Sequence, residues 1–435
     1  MQTGVSSIDY IFSINLIYKP EKTLSMKKNH ANINNVTDSP SLEPAFDKGL
    51  LPDALTTFDG NRIENAQDWN NLRRPELLKA FASAIYGNPL QSPSAIEFKI
   101  LERNDNALDG KAIRIQGDIT CKDLKLPNPF RMLVYLPKSA AAASPVFIGL
   151  NFQGNHTITD DPEILIPKWA EQKFPRGNRA DRYDLDLILS SGYGIATIHN
   201  ADIEPDRPDA RQSGIRGALL PASPKDDEAA TITAWAWGLS RGLDALLNLP
   251  EVDPARVIVW GHSRLGKTSL WSAANDLRFA AAISNDSGCC GASLTRHILK
   301  DGKSETLNDI IRNFPHWFIP GLKQYIEHEE KLPVDQHELL ALIAPRPVYV
   351  ASAEEDRWAD PEGEFLAARE ASPVFRLFGH HGIPENATMP HLKESVGQGV
   401  GYHIRPGKHT VTSFDWQAFI DFMNANLKSK PDTFN

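Results

Sequence analysis

Little in this chain points to redox, metal, membrane or nucleic-acid chemistry. Of 435 residues only 3 are cysteine, Cys121, Cys289 and Cys290, and their spacing contains no disulfide framework. The adjacent pair lacks the C-x-x-C spacing of a redox motif and reads as small buried residues near a turn. None of the 13 histidines stands in H-E-x-x-H or another ligand spacing, so no metal is expected. No apolar run approaches the length that crosses a bilayer. Against 55 acidic side chains there are 46 Lys and Arg, a net charge of −9. No basic cluster is present to neutralise phosphates, which excludes nucleic acid as a partner.

What remains is the composition of a globular protein, 41% hydrophobic and 23% charged, long enough for a substantial core. Residues 1–50 are polar and read as an irregular tail. Its one apolar patch, Tyr10 to Tyr18, follows Asp9 and precedes Lys19, where a secretory signal has basic residues first and a longer apolar segment. Met26, followed by Lys27-Lys28, is read as an alternative start. No repeat or shift in composition divides residues 51–435, which are expected to form a single catalytic domain, by default a monomer.

Apolar and aromatic residues at Trp69, Leu72, Leu77, Leu78, Phe81 and Ile85 predict a packing helix over 68–86, stopped by Gly87-Asn-Pro89. Extended runs at 96–101, 112–119 and 131–136 predict an antiparallel flank. Buried strands are expected at 145–151, 193–199, 256–260, 279–284 and 347–352, alternating with helices, the last at about 413–427. Such alternation implies parallel βαβ units, whose chemistry sits beyond the carboxyl ends of the strands. The long stretch from Thr295 to Leu339 reads as an irregular insertion that walls the active face.

The segment Arg256-Val-Ile-Val-Trp-Gly-His-Ser-Arg-Leu-Gly-Lys267 reads as strand, tight turn and helix, with Ser263 at the turn. This is the pattern of an α/β-hydrolase fold, a three-layer sandwich with a mostly parallel central sheet, in which the turn exposes a serine hydroxyl beside a free N–H. The second glycine stands one place late, with Leu265 in its usual position. A serine needs an imidazole to take its proton, and the imidazole needs a carboxylate. His409, in the loop before the last helix, is favoured over His403, which lies in an apparent strand. Asp286 and Asp356 each follow a strand, with Glu354, Glu355 and Asp360 as rivals near the second. The loop Phe152-Gln-Gly-Asn-His156 stands where a second oxyanion donor is often placed.

Six segments in order, Gly261-His-Ser-Arg-Leu-Gly-Lys267, Ser287-Gly-Cys-Cys-Gly-Ala292, Phe314-Pro-His-Trp317, Ala344-Pro-Arg-Pro347, Glu354-Glu-Asp-Arg-Trp-Ala-Asp-Pro361 and Gly401-Tyr-His-Ile-Arg-Pro-Gly-Lys-His409, resemble bacterial glucuronoyl esterases, the fifteenth family of carbohydrate esterases. The likeness runs from about Trp69 to the C-terminus, and the family's Ser-Arg-x-Gly-Lys form accounts for the late glycine. It implies cleavage, without a cofactor, of the ester joining a (4-O-methyl-)glucuronic acid branch of xylan to a lignin alcohol. Ser263 matches the nucleophile and His409 the base. Asp356 matches the acid site of bacterial members and Asp286 the site where fungal members carry Glu; Asp356 is taken first. Arg264 matches an oxyanion-stabilising residue, and Lys267, Glu305 and Trp358 match sugar contacts. From the residues alone, Lys267 is one helical turn from Ser263 and Trp358 offers a face to a pyranose, while a solvated helix position and ordinary packing are the alternatives. Export to the periplasm or medium is implied by the family. An acetyl xylan esterase with the same triad is the rival enzyme, and a non-catalytic carbohydrate-binding protein the rival of another kind.

Overall fold

Apolar runs bounded by turn formers become the middle strands of a ten-stranded sheet. The computed structural model describes residues 51–427 apart from 141, 170–172, 222–224 and 300; the tail expected over 1–50 lies outside the described residues. The strands are β1 Ile96–Asn106, β2 Ala112–Cys121, β3 Phe130–Pro137, β4 Ser144–Asn151, β5 Gly194–His199, β6 Val252–His262, β7 Ala281–Asn285, β8 Val348–Ala353, β9 Ser395–Gln398 and β10 Val400–Arg405. Their order is β1-β2-β3-β5-β4-β6-β7-β8-β10-β9. From β5 through β10 every neighbouring pair is parallel. Antiparallel pairs join β1 to β2, β2 to β3, β3 to β5, and β10 to β9.

Side chains of the middle strands alternate between two apolar layers. Val257 and Val259 of β6 enter one core with Trp235 and Trp271, whereas Ile258 and Trp260 enter the other with Trp416 and Phe419. Near-continuous burial along these strands is what a sheet covered on both faces requires. The covering helices are α1 over 66–86, α2 Leu185–Ser190, α3 Thr231–Leu246, α4 Arg264–Asn275, α5 Leu307–Asn313, α6 Gln336–Ala341, α7 Pro361–Arg376 and α8 Ser413–Asn426. Among the described residues no helix is long and apolar enough to cross a membrane.

Three local expectations change. Leu72, placed on the buried stripe of α1 by helical spacing, is 55% exposed. Residues Trp69–Arg73 and Ala82–Tyr86 form π-helical turns, whose wider i→i+5 step rotates the stripe. The 295–339 insertion is not irregular throughout: Thr306 with Asp309 and Asp335 with Glu338 form capping boxes that start α5 and α6. The edge strand β9 has no counterpart among the expected runs.

Register sets which strand ends meet. His262 pairs with Asn285, Asn285 with Ala351, and Ala353 with Arg405, so β6, β7, β8 and β10 end side by side. Ser263, Asp286, Asp356 and His409 follow those ends.

Candidate active site

At the end of β6 the chain reverses within one residue. Ser263 takes φ 59° and ψ −132° and α4 starts at Arg264. A non-glycine residue held there is strained by about 1–3 kcal/mol. The neighbours enforce it: Ser263 N–H donates to Asn285 O at 2.9 Å, and its carbonyl accepts from the N–H groups of Gly266 at 2.8 Å and Lys267 at 3.2 Å. A Cβ at Gly261 would stand 2.0 Å from Leu265 O, so only glycine fits as the helix folds back over its strand. At Gly266 a Cβ would come within 3.0 Å of Ser284 Oγ and Ser287 Cβ. The late glycine thus sits where α4 passes closest to β7, while Leu265 is buried in the core.

His409 Nδ1 lies 2.5 Å from Asp356 Oδ2; the imidazole is 42% exposed and the carboxylate buried. A carboxylate accepts, so Nδ1 carries the proton and Nε2 is left as the basic atom. The His409 ring packs 4.4 Å, centroid to centroid, from that of His262, which brings the loop after β10 against the Ser263 turn. Among the described residues no hydrogen bond joins Ser263 Oγ to His409, a contact that commonly tightens only with substrate bound. Burial first, and then the neighbouring His409, push the His262 imidazole well below its usual range and keep it neutral. Its Nδ1 accepts from the Asn285 amide at 2.6 Å, and the same amide reaches Thr410 O at 3.2 Å.

Asp286 reaches the same region without touching the imidazole by hydrogen bond. It is fully buried, and burial, followed by the charges of Asp356 and Glu364, pushes its carboxyl well above the usual range against the pull of Arg405. Arg405 Nη2 is 3.5 Å from its Oδ2. Ligand atoms of Asp286, Asp356 and His409 all lie within 4.8 Å of one another, close enough for a cation. The Arg405 guanidinium and His409 Nδ1–H already answer the two carboxyls, which accounts for the cluster without one. Both ring nitrogens of His403 are used, Nδ1 with Tyr349 Oη and Nε2 with Asp415, each at 3.0 Å, deep in the core. Glu354 and Glu355 are exposed, and Asp360 caps α7.

Lys267, Glu305 and Trp358, far apart in sequence, are brought together. Lys267 is buried; its Nζ donates to Ser287 O and, at 2.5 Å, to Cys289 O, and lies 3.7 Å from Glu305 Oε2. Burial pushes the Glu305 carboxyl up, opposed by the Lys267 charge and a hydrogen bond from the Trp358 side chain. Glu305 N–H also donates to Trp358 O at 2.9 Å, and the indole is 48% exposed. The result is a rigid polar floor beside an open aromatic face. Cys289 and Cys290 are both buried free thiols in the adjoining turn.

Arg264 stands between aromatic rings, its guanidinium carbon 4.6 Å from the Trp317 ring centroid, 5.2 Å from Phe314 and 5.6 Å from Phe152. The Phe152 loop therefore contributes a wall here, and Gly154 N–H is spent on Asn151 Oδ1 at 2.7 Å. Sequence reasoning passed over Asn285, Arg405, Asp206 and Glu364 as site residues. Arg405 lies within Gly401-Tyr-His-Ile-Arg-Pro-Gly-Lys-His409 and Asp206 closes the acidic stretch Asp202-Ile-Glu-Pro-Asp206 after β5, yet neither carries a spacing that signals a role. A groove of about 790 Å³ between α3, α4 and residues 89–96 is lined by none of these residues.

Comparison with known proteins gives consistent relatives. Residues 150–379 match the family described as glucuronyl esterase, fungi. The chain is 41% identical over 401 residues to carbohydrate esterase MZ0003 of an unknown prokaryotic organism, covering 88% of this chain and 91% of the relative. It is 26% identical over 368 residues to a 4-O-methyl-glucuronoyl methylesterase of Schizophyllum commune, covering 83% and 80%. The solved structure of a glucuronoyl esterase from Solibacter usitatus aligns with a TM-score of 0.81 at 40% identity, over 87% of this chain and 98% of that one. A CE15 esterase from a marine bacterial metagenome, described as promiscuous, aligns at 0.79 and 41% identity, over 87% and 97%.

Proposed function

We propose, from the premise that this chain belongs to the glucuronoyl esterase family, that it cleaves the ester between (4-O-methyl-)glucuronic acid of glucuronoxylan and lignin alcohols with Ser263, His409 and Asp356. The chain is a carboxylic ester hydrolase. The observation that carries the reading is the 2.5 Å Asp356–His409 contact beside the strained Ser263 turn.

In this reading residues 51–435 are one catalytic domain of three layers with an antiparallel flank. His409 Nε2 takes the Ser263 proton as Oγ attacks the uronoyl carbonyl, and the alcohol leaves with that proton. Water, deprotonated by the same imidazole, then releases glucuronate from the acyl-enzyme. Arg264 and the first N–H groups of α4 face the oxyanion. Lys267, Glu305 and Trp358 hold the sugar, Asp286 is a second, buried acid, and no cofactor enters. The enzyme acts as an exported monomer.

The test is hydrolysis of benzyl glucuronate beside 4-nitrophenyl acetate, with wild type and Ser263→Ala in parallel. Uronate cleavage that disappears in Ser263→Ala is the expected result. Cleavage of acetate alone would move the acetyl xylan esterase into first place.

A further inference from the structure

The acidic run after β5 ends at Asp206, which meets Arg264 across 58 residues of sequence. The two carboxylate oxygens have separate partners. Oδ2 accepts from Arg264 Nη1 at 2.5 Å, and Oδ1 accepts from His316 Nε2 at 2.8 Å and Trp317 Nε1 at 2.7 Å. Burial favours the neutral acid, but hydrogen bonds from His316 and Trp317 and the Arg264 charge outweigh it and hold the carboxyl down at about 2. The group is a fixed anion at any working pH.

Arginine beside a nucleophile is a long side chain with about 2 kcal/mol of rotamer entropy, and a donor to an oxyanion acts best when already oriented. The rings of Phe152, Phe314 and Trp317 confine the guanidinium, with Phe314 and Trp317 themselves stacked at 3.8 Å and 2°. Ring faces resist tilting but leave the planar fork free to turn within its own plane. A carboxylate on Nη1 removes that freedom.

We propose that Asp206 is a positioning residue for ester cleavage: it fixes the rotation of the Arg264 fork and joins it to the Phe314–Trp317 wall, so that the wall and the oxyanion donor are set together. The inference rests on the reading of Ser263 and Arg264 given above. Its bland counterpart is an ion pair that only ties three loops together, and the two differ in what happens when Arg264 is absent.

The experiment is a double-mutant cycle on benzyl glucuronate with wild type, Asp206→Asn, Arg264→Ala and the double variant, reading kcat, KM and melting temperature. Arg264→Ala is expected to lower kcat on the order of 10²–10³-fold. Asp206→Asn is expected to lower kcat about 10- to 100-fold with KM within about threefold, and the double variant to match Arg264→Ala within about twofold. The same factor lost in both backgrounds, an unchanged kcat, or a rise in KM alone would overturn the inference. Asp206→Glu, which keeps the charge and shifts the carboxylate by one methylene, repeats the cycle if Asp206→Asn does not fold, with the same outcomes deciding. A fully active Arg264→Ala leaves Asp206 nothing to position and sinks the inference, while Ser263→Ala still decides the esterase reading separately.

Discussion

Arg405 Nη2 lies 3.5 Å from Asp286 Oδ2, and the same guanidinium holds the loop that carries His409. Its Nε donates to Asp415 at 2.7 Å, Nη1 to Pro406 O at 3.1 Å and Lys408 O at 3.3 Å, and Nη2 to Thr410 O. One planar fork thus spans both sides of His409 and reaches Asp286. A lysine keeps the charge but cannot serve these acceptors together. Arg405→Lys is expected to fold with a lowered melting temperature and to lose kcat on benzyl glucuronate by about tenfold or more. An unchanged kcat at lowered stability would limit Arg405 to the fold.

The two acids near His409 are expected to behave differently. Asp356 accepts directly from the imidazole, so Asp356→Asn forfeits the tautomer and the charge, and kcat should fall on the order of 10²–10⁴-fold. Asp286 makes no hydrogen bond to His409, and its carboxyl is held well above the usual range by burial. Burial disfavours the charged form of this carboxyl, so a neutral amide is tolerated better here than at Asp356, and Asp286→Asn should keep kcat within about tenfold. Parallel kcat measurements on both variants decide it; equal losses would mean that the two acids share the imidazole.

The sheet was legible because parallel strands buried on both faces appear as short apolar runs; Ser263 and Asp286 follow the ends of β6 and β7 directly, and Asp356 stands three residues past the end of β8. Leu72 misled because periodicity assumes 3.6 residues per turn, and the π turn of Trp69–Arg73 does not obey it. β9, a four-residue exposed edge strand containing Ser, Gly and Gln, has no alternation to detect. The helix α7 carries Pro373 in its interior, which breaks the helical signal. Ser263 and His409 could be singled out as candidates because serine and histidine chemistry restricts where such residues can stand. Asp206 and Arg405 carry no such restriction: Asp206 meets Arg264 although β4 lies between β5 and β6, and Arg405 meets Asp286 although β8 lies between β7 and β10, contacts that no local spacing announces.

Strain at the Ser263 turn predicts a stability gain on removing it. Ser263 holds φ 59° and ψ −132°, a region open to glycine and costly to residues with a Cβ. Ser263→Ala keeps the Cβ and the strain; Ser263→Gly sheds both, at a smaller cost in unfolded-chain entropy. Both variants should be inactive, with Ser263→Gly more stable than Ser263→Ala by about 1 kcal/mol. Urea denaturation of the pair measures this, and a less stable glycine variant would show that the turn is unstrained.

Glu364, fully buried at the start of α7, accepts from Ser287 N–H at 2.7 Å, Gly288 N–H at 2.9 Å and Ser352 Oγ–H at 2.6 Å, and so pins the turn after β7 to β8. Burial pushes its carboxyl up to about 7 from the ordinary 4.5, opposed by those hydrogen bonds and reinforced by the Asp356 charge. Between these values the folded protein retains a proton that the unfolded chain has released. Its contribution to stability is therefore complete below pH 4.5 and is lost as pH rises through 7. Glutamine is neutral throughout and keeps an acceptor for Ser287 and Gly288. Relative to wild type, Glu364→Gln should gain stability as pH rises across that window, by about 3 kcal/mol in total. Glu338, pushed up to about 8 by burial, titrates in both proteins and cancels from the difference. Urea midpoints of the two proteins from about pH 4.5 to about pH 8 give the answer: a widening gap in favour of Glu364→Gln is expected, and parallel curves would mean that Glu364 is ionised in the folded state.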